Sequence, residues 1–202
     1  MLETTLPKGA RTRRTILDRA TALASERGLE SLSIGGLADE LGLSKSGLFA
    51  HFGSKEELQV AAVEHAAEIF TRNVIVPARE APRGLARVWA LCDRMIGYME
   101  SGVFPGGCFF TTASFEFKAR PGPVRDRIVD VLRSWSSYLA HAIEQAQEAG
   151  EIDPGVDPAS LAFQLNAFVK EGNSQYQLFG DAEAFAKARA AVRERLESLR
   201  PG

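Results

Sequence analysis

The chain reads as an all-α protein, with an N-terminal three-helix unit containing a helix-turn-helix and a larger C-terminal helical body. Three observations predict this. Apolar residues recur at helical spacing along most of the sequence, the breaks between them fall on glycine and proline, and no alternating apolar–polar run of strand length occurs. A chain of 202 residues, 45% hydrophobic and 25% charged, buries a sizeable core and lacks the charge-rich, apolar-poor composition of disorder.

Taken in order, Ile16, Leu17, Ala20, Leu23 and Ala24 form the apolar stripe of a first helix over residues 11–27, which Gly28 stops. Ser33 caps a short second helix carrying Ile34, Leu37, Ala38 and Leu41. After the turn Leu41-Gly42-Leu43, Ser44 caps a third helix with Leu48 and Phe52 one turn apart, ending at Gly53. Ser54-Lys55-Glu56-Glu57 reads as a capping box, in which Ser54 accepts from the Glu57 amide and Glu57 reaches back. A long fourth helix then runs to about Val76. Further helices are expected near 82–101, 106–119, 122–149, 158–179 and 182–199, with Asp157-Pro158 pairing an N-cap with a first-turn proline.

Composition also narrows function. The first residues contain no apolar signal region, and no run of about 18 apolar residues occurs, so a cytoplasmic protein without a membrane partner is expected. Cys92 and Cys108 lack metal-site spacing, and the three histidines are scattered, which predicts neither a disulfide framework nor a metal. There is no HExxH, P-loop, strand-borne GxGxxG or GxSxG, so neither an enzyme nor a cofactor is indicated. The net charge of −2 does not by itself favour nucleic acid. Residues 1–20 hold five basic side chains against two acidic, but residues 1–60 hold eight of each. A helical module that binds a small molecule or protein without binding DNA therefore stands as the alternative.

Two short helices joined by a tight glycine turn behind a longer basic helix are the layout of a helix-turn-helix. At about 100° per residue, turning Leu48 and Phe52 inward points Ser46 and Ala50 outward, flanked by Gly47 and Phe49. Small side chains there allow the helix to lie deep in a major groove, where base edges are readable. Spacing alone fits equally a solvated helix start at Ser44-Lys45-Ser46-Gly47.

The run from Ser33 to Leu58, with its Ser-capped helix, Gly-Leu-Ser turn, aromatic recognition helix ending in Phe52 and following Ser54-Lys55-Glu56-Glu57-Leu58, resembles the signature of bacterial TetR-type transcriptional regulators. With Arg14-Thr15-Ile16-Leu17, the resemblance covers residues 11–60. It implies a helix-turn-helix DNA-binding domain over 1–53, to which the first turn of the connecting helix up to about residue 60 contributes, and a ligand-binding and dimerisation domain over 54–202. The implied protein is a homodimeric, ligand-responsive regulator, by family default a repressor, on a palindromic double-stranded operator.

Residue by residue, the resemblance places Ser33 and Lys55 on backbone phosphate and Lys45, Ser46 and Gly47 near base edges, with the capping Ser44 also counted among the DNA-binding residues. Phe49 stands where tyrosine is usual, so a phosphate hydrogen bond is lost while the ring still packs on sugar. His51 either touches the DNA backbone or packs beside the next helix. Leu161, Leu165, Phe168 and Val169, with Phe185, Val192 and Leu196, supply either a dimer interface or an internal helix pair, the interface being the family's usual arrangement. Trp89, Tyr98, Phe109, Phe115, Trp135 and Tyr138 lie in the region of the family's inducer cavity, which suits an apolar or aromatic ligand, although aromatic stripes also make plain core. Glu116 and His141 are candidate polar anchors. Cys108 follows a glycine pair at a helix start, where it is either a redox sensor or a small buried hydrophobe.

Overall fold

A computed structural model describes residues 7–201, all of them in helices, turns or loops. The helices are α1 (Lys8–Arg27), α2 (Ile34–Leu41), α3 (Lys45–Phe52), α4 (Lys55–Phe70), α5 (Leu85–Glu100), α6 (Phe109–Phe117), α7 (Pro123–Glu148), α8 (Pro158–Phe179) and α9 (Ala184–Glu197). A 3₁₀ turn, Leu29–Ser31, follows α1. Among the described residues none of these helices is long and apolar enough to cross a membrane.

The expected caps are made. Ser33 accepts from the Gly36 amide at 3.0 Å, Ser44 from Gly47 at 3.1 Å, Ser54 from Glu57 at 3.1 Å and Asp157 from Ser160 at 2.8 Å. Gly42, at φ 65°, closes α2 in the left-handed region, and the Leu43 amide then reaches back to the Ala38 carbonyl at 2.9 Å. The capping box at Ser54 is only half formed. The Ser54 amide donates to the Phe52 carbonyl at 2.6 Å, and the Glu57 carboxylate instead lies against Gly53, where a Cβ would meet Oε2 at 2.8 Å.

The end of α4 also departs from the plain helix expected there. The chain stays helical, but through a π turn, Thr71–Ile75, before a last α turn, Val76–Ala78. Pro77 explains the widening, since it has no amide to donate and its ring would clash with the carbonyl one turn back. Asn73 stitches the widened segment by donating from Nδ2 to the Ile69 carbonyl at 2.7 Å.

The described residues form two compact units. The first runs up to Glu68 and includes Phe104–Val129. Its core holds the whole expected stripe of α1, with Leu37, Ala38, Leu48 and Phe52. Phe104, Phe109, Phe110, Ala113 and Phe117 are buried in it too, the Phe109 ring lying 5.9 Å from Phe104 and 5.3 Å from Phe110. His65 of α4, though buried, is satisfied by Asp18 of α1, with Nε2 2.6 Å from Oδ1.

The second unit comprises Ile69–Val103 and the chain from Asp130 onward. Val88, Leu91, Cys92, Met95, Ile96 and Met99 give α5 one buried face. In α8 and α9, Leu161, Leu165, Val169, Phe185, Val192 and Leu196 are all buried within the single chain. These residues therefore make the internal helix pair rather than a free interface, and Phe168 is half-buried beside them. The pair crosses closely at Gly172, where a Cβ would come within 2.8 Å of the Ala188 Cβ. Arg189 ties α9 to α5 through Asp93 Oδ1 at 2.8 Å and Glu100 Oε2 at 2.6 Å. What α8 leaves outward is a different set: Phe163 is 74% exposed, Leu178 76% and Phe179 68%.

Candidate nucleic-acid interface

Helix α3 is anchored by two buried residues, Leu48 and Phe52, and everything else on its first two turns faces out. Lys45, Ser46, Gly47, Phe49 and Ala50 are all exposed, Phe49 by 56%. The outward surface is thus nearly free of long polar side chains, leaving Lys45 and Ser46 as its donors. Lys45 lies across α2, its Cε 3.5 Å from where a Cβ on Gly35 would stand. Ser44 is occupied as the cap and sits 3.4 Å from the Ser46 hydroxyl. His51 is half-buried, its ring 6.1 Å from that of Phe52.

The surrounding charges divide into engaged and open. Lys55 donates from Nζ to the Glu30 carbonyl at 2.6 Å and to its carboxylate at 2.8 Å. That hydrogen bond, together with Gln59 and the nearby Arg120, holds the Glu30 carboxyl below its ordinary value, so the pair is intact at neutral pH. Arg19 pairs with Glu40 of α2, and the Arg13 guanidinium lies 5.0 Å over the Phe52 ring. Among the described residues, Lys8, Arg11, Arg14 and Lys45 lie within ion-pair distance of no carboxylate.

Two contacts from the middle of the chain fix the corner behind this surface, and sequence spacing signals neither. Glu116 of α6 accepts from the Leu29 amide at 2.6 Å and the Glu30 amide at 3.0 Å, capping the 3₁₀ turn. Gly28, at φ 85°, leaves room for that carboxylate, because a Cβ would lie 2.8 Å from Oε1. The Gly106 amide donates to Ser25 Oγ at 3.1 Å, with the backbones so close that a Cβ on Gly106 would stand 2.0 Å from the Ser25 carbonyl oxygen. Glu116 is thus engaged as a backbone cap. His141, the other expected anchor, is exposed on α7 and bonded to its own helix, with Nδ1 3.1 Å from Glu144 and Nε2 2.9 Å from Gln145.

The six aromatic residues expected at a ligand cavity fall into different settings. In the second unit, Tyr98 and Trp135 are buried with their rings edge-on to Phe70, at 5.6 Å and 5.0 Å. The Trp135 indole donates to Asn166 Oδ1 at 2.7 Å, and Tyr138 accepts from Arg79 Nε at 3.2 Å. Trp89, nine residues before Tyr98 on α5, lines a cleft of about 530 Å³ and carries the Arg193 guanidinium 4.8 Å over its ring. Phe109 is core of the first unit, and Phe115, 69% exposed, is surface there.

Cys92 and Cys108 are both buried thiols outside any disulfide. Burial, with the charge of Asp93 adding, pushes the Cys92 thiol up to about 12, so it stays protonated at neutral pH. Cys108 packs at the start of α6 as a small buried side chain. Among the described residues no three metal-ligating side chains cluster.

Residues 16–62 match the family model described as bacterial regulatory proteins, tetR family, and residues 84–192 match the tetracyclin repressor-like C-terminal domain. No curated protein matches the chain in sequence. Among solved structures, a TetR transcriptional regulator from Chloroflexus aurantiacus shares 25% identity over 96% of this chain and 98% of its own, with a TM-score of 0.88. A TetR-family regulator from Cytophaga hutchinsonii shares 19% identity over 98% of each chain, with a TM-score of 0.82. AibR, solved in complex with isovaleryl coenzyme A and operator DNA, shares 24% identity over 94% of this chain and 98% of its own, with a TM-score of 0.70.

Proposed function

Because the chain belongs to the tetR family of bacterial regulatory proteins, we propose that it is a repressor whose homodimer binds a palindromic operator and whose second unit takes an apolar or aromatic inducer. The observation that carries this reading is the outward face of α3, where Lys45, Ser46, Gly47, Phe49 and Ala50 stand exposed on a helix held by two buried anchors. A helix with so small an outer surface fits deep in a major groove, and a two-fold axis sets the paired helices one turn of DNA apart, roughly 34 Å.

In that position Lys45, Ser46 and Gly47 approach base edges. Phe49 and Ala50, which have no hydrogen bond to offer, meet thymine methyl groups. Ser33, Ser44 and His51 lie toward backbone phosphate, and Lys55 joins them by exchanging Glu30 for a phosphate oxygen. For the inducer, Tyr98 and Trp135 around Phe70, with Asn166 on the Trp135 indole and Tyr138 one turn further along α7 beside Arg79, are the favoured lining, since they combine ring surface with a few oriented polar groups. AibR, crystallised with both an acyl thioester and operator DNA, supports the pairing of the two activities on this fold. Induction follows if the ligand binds more tightly to the form that fits DNA poorly.

Fluorescence anisotropy on labelled duplex tests this directly. The logarithm of affinity is expected to fall linearly with the logarithm of salt concentration, and Lys55→Ala to weaken binding to every sequence and flatten the slope by about one. Absence of salt-dependent DNA binding contradicts the operator reading, and an unchanged slope in Lys55→Ala removes Lys55 from the phosphate set. Replacing half-site thymines by deoxyuridine deletes only methyl groups. Each one that touches Phe49 is expected to cost roughly fourfold in affinity, the value of about one buried methyl. Phe49→Ala should abolish that sensitivity, and equal deoxyuridine sensitivity in both proteins would place the contact elsewhere.

A further inference from the structure

The cleft beside Trp89 belongs to neither activity just described. Nine residues along α5 separate Trp89 from Tyr98, about 13 Å of helix. Its volume, about 530 Å³, is that of a small-molecule site. The apolar lining includes Trp89 and Leu196, the latter buried at the end of α9. Charge is arranged unevenly around it. Glu151, in the connector before α8, accepts from the Leu85 amide at 2.6 Å and so caps the start of α5. It packs against Gly84, where any Cβ would collide with the carboxylate. Arg193 stacks over the Trp89 ring, and Arg200 stands at the rim, while among the described residues neither lies within ion-pair distance of a carboxylate.

From these residues we infer that the cleft is a second small-molecule site, for a planar aromatic monocarboxylate whose ring lies against Trp89 and Leu196 and whose carboxylate meets Arg193 and Arg200. The apolar lining calls for an apolar body. The two guanidiniums call for an anion, and their planar forks match a carboxylate. A second negative charge on the ligand would face Glu197, which also lines the cleft, so a single charge fits better than a phosphate dianion. A molecule seated there bridges α5 and the end of α9.

Isothermal titration calorimetry of the whole protein with 2-naphthoate, with 2-naphthamide as the uncharged isostere, tests the assignment. Binding of 2-naphthoate is expected, with affinity at least about tenfold above that of the amide. Arg193→Gln and Arg200→Gln should each weaken the acid by roughly tenfold and leave the amide unaffected, and Trp89→Leu should weaken both. Glu197→Gln, at an exposed position, should tighten the acid, which no loss of structure would produce. Circular dichroism melts identify any variant that is not folded, and Glu197→Gln remains decisive if an arginine variant fails. The assignment is overturned by no heat from 2-naphthoate at millimolar concentration, by equal affinity for acid and amide, by binding that survives both arginine changes, or by unchanged affinity in Glu197→Gln. None of these outcomes bears on operator binding, which anisotropy measures separately.

Discussion

Phe163→Arg is expected to leave the chain folded, convert the proposed homodimer to monomer, and reduce operator affinity on the order of 100-fold. Phe163 is 74% exposed on α8, so the substitution removes little burial within the chain, and far-ultraviolet circular dichroism should be unchanged. Its ring shares the outward side of that helix with Leu178, 76% exposed, while Leu161 and Leu165 turn inward. Apolar side chains of this size left exposed on a helix otherwise built into a core suit the proposed dimer contact, and an isologous contact places the same residues on both sides. An arginine pair across the two-fold axis would be buried and unbalanced. Without the dimer each half-site binds alone and the effective-concentration gain of the second contact is lost. Sedimentation velocity at micromolar concentration decides the first part: a variant that stays dimeric would place the interface elsewhere, and a monomeric wild type would contradict the homodimer.

Gly106→Ala should be the most damaging single methyl in the molecule. The new Cβ would stand 2.0 Å from the Ser25 carbonyl oxygen, 2.3 Å from its carbon and 2.7 Å from the Glu26 nitrogen, all backbone atoms that no rotamer change relieves. The loop must retreat, breaking the 3.1 Å hydrogen bond from the Gly106 amide to Ser25 Oγ. A cost of about 3 kcal/mol is expected, at the upper end for overpacking, with a lost hydrogen bond added. Gly9→Ala is the matched control: nothing lies within 4 Å of its Cβ position in α1, and alanine there should be neutral or stabilising by up to about 1 kcal/mol. Urea denaturation of the two variants measures the contrast, and equal midpoints would refute the close approach of the 106 loop to α1.

How far these features could be read in advance depended on the range of the interaction. The caps at Ser33, Ser44 and Asp157 act over three residues, so their partners are adjacent in the chain and the helix starts were legible. The outward phase of Ser46 and Ala50 followed from two anchors on the same helix, Leu48 and Phe52. The α8 and α9 stripe was legible as apolar but not as internal, because periodicity shows that a face is covered and not by what. Glu116 acts on an amide 87 residues away, and no local pattern distinguishes such a carboxylate from a ligand anchor. The engagement of Lys55 by Glu30 is invisible for the same reason. Aromatic count pointed to a cavity, whereas the packing distributed those rings among a core, an exposed surface, a cleft and the Phe70 group.

Selection from a random duplex pool with the purified protein at modest salt, followed by sequencing of what is retained, asks whether two copies of α3 read one operator. An enriched palindrome with half-site centres about one helical turn apart is expected. Retained DNA without sequence enrichment, or no retention by folded protein, would contradict it.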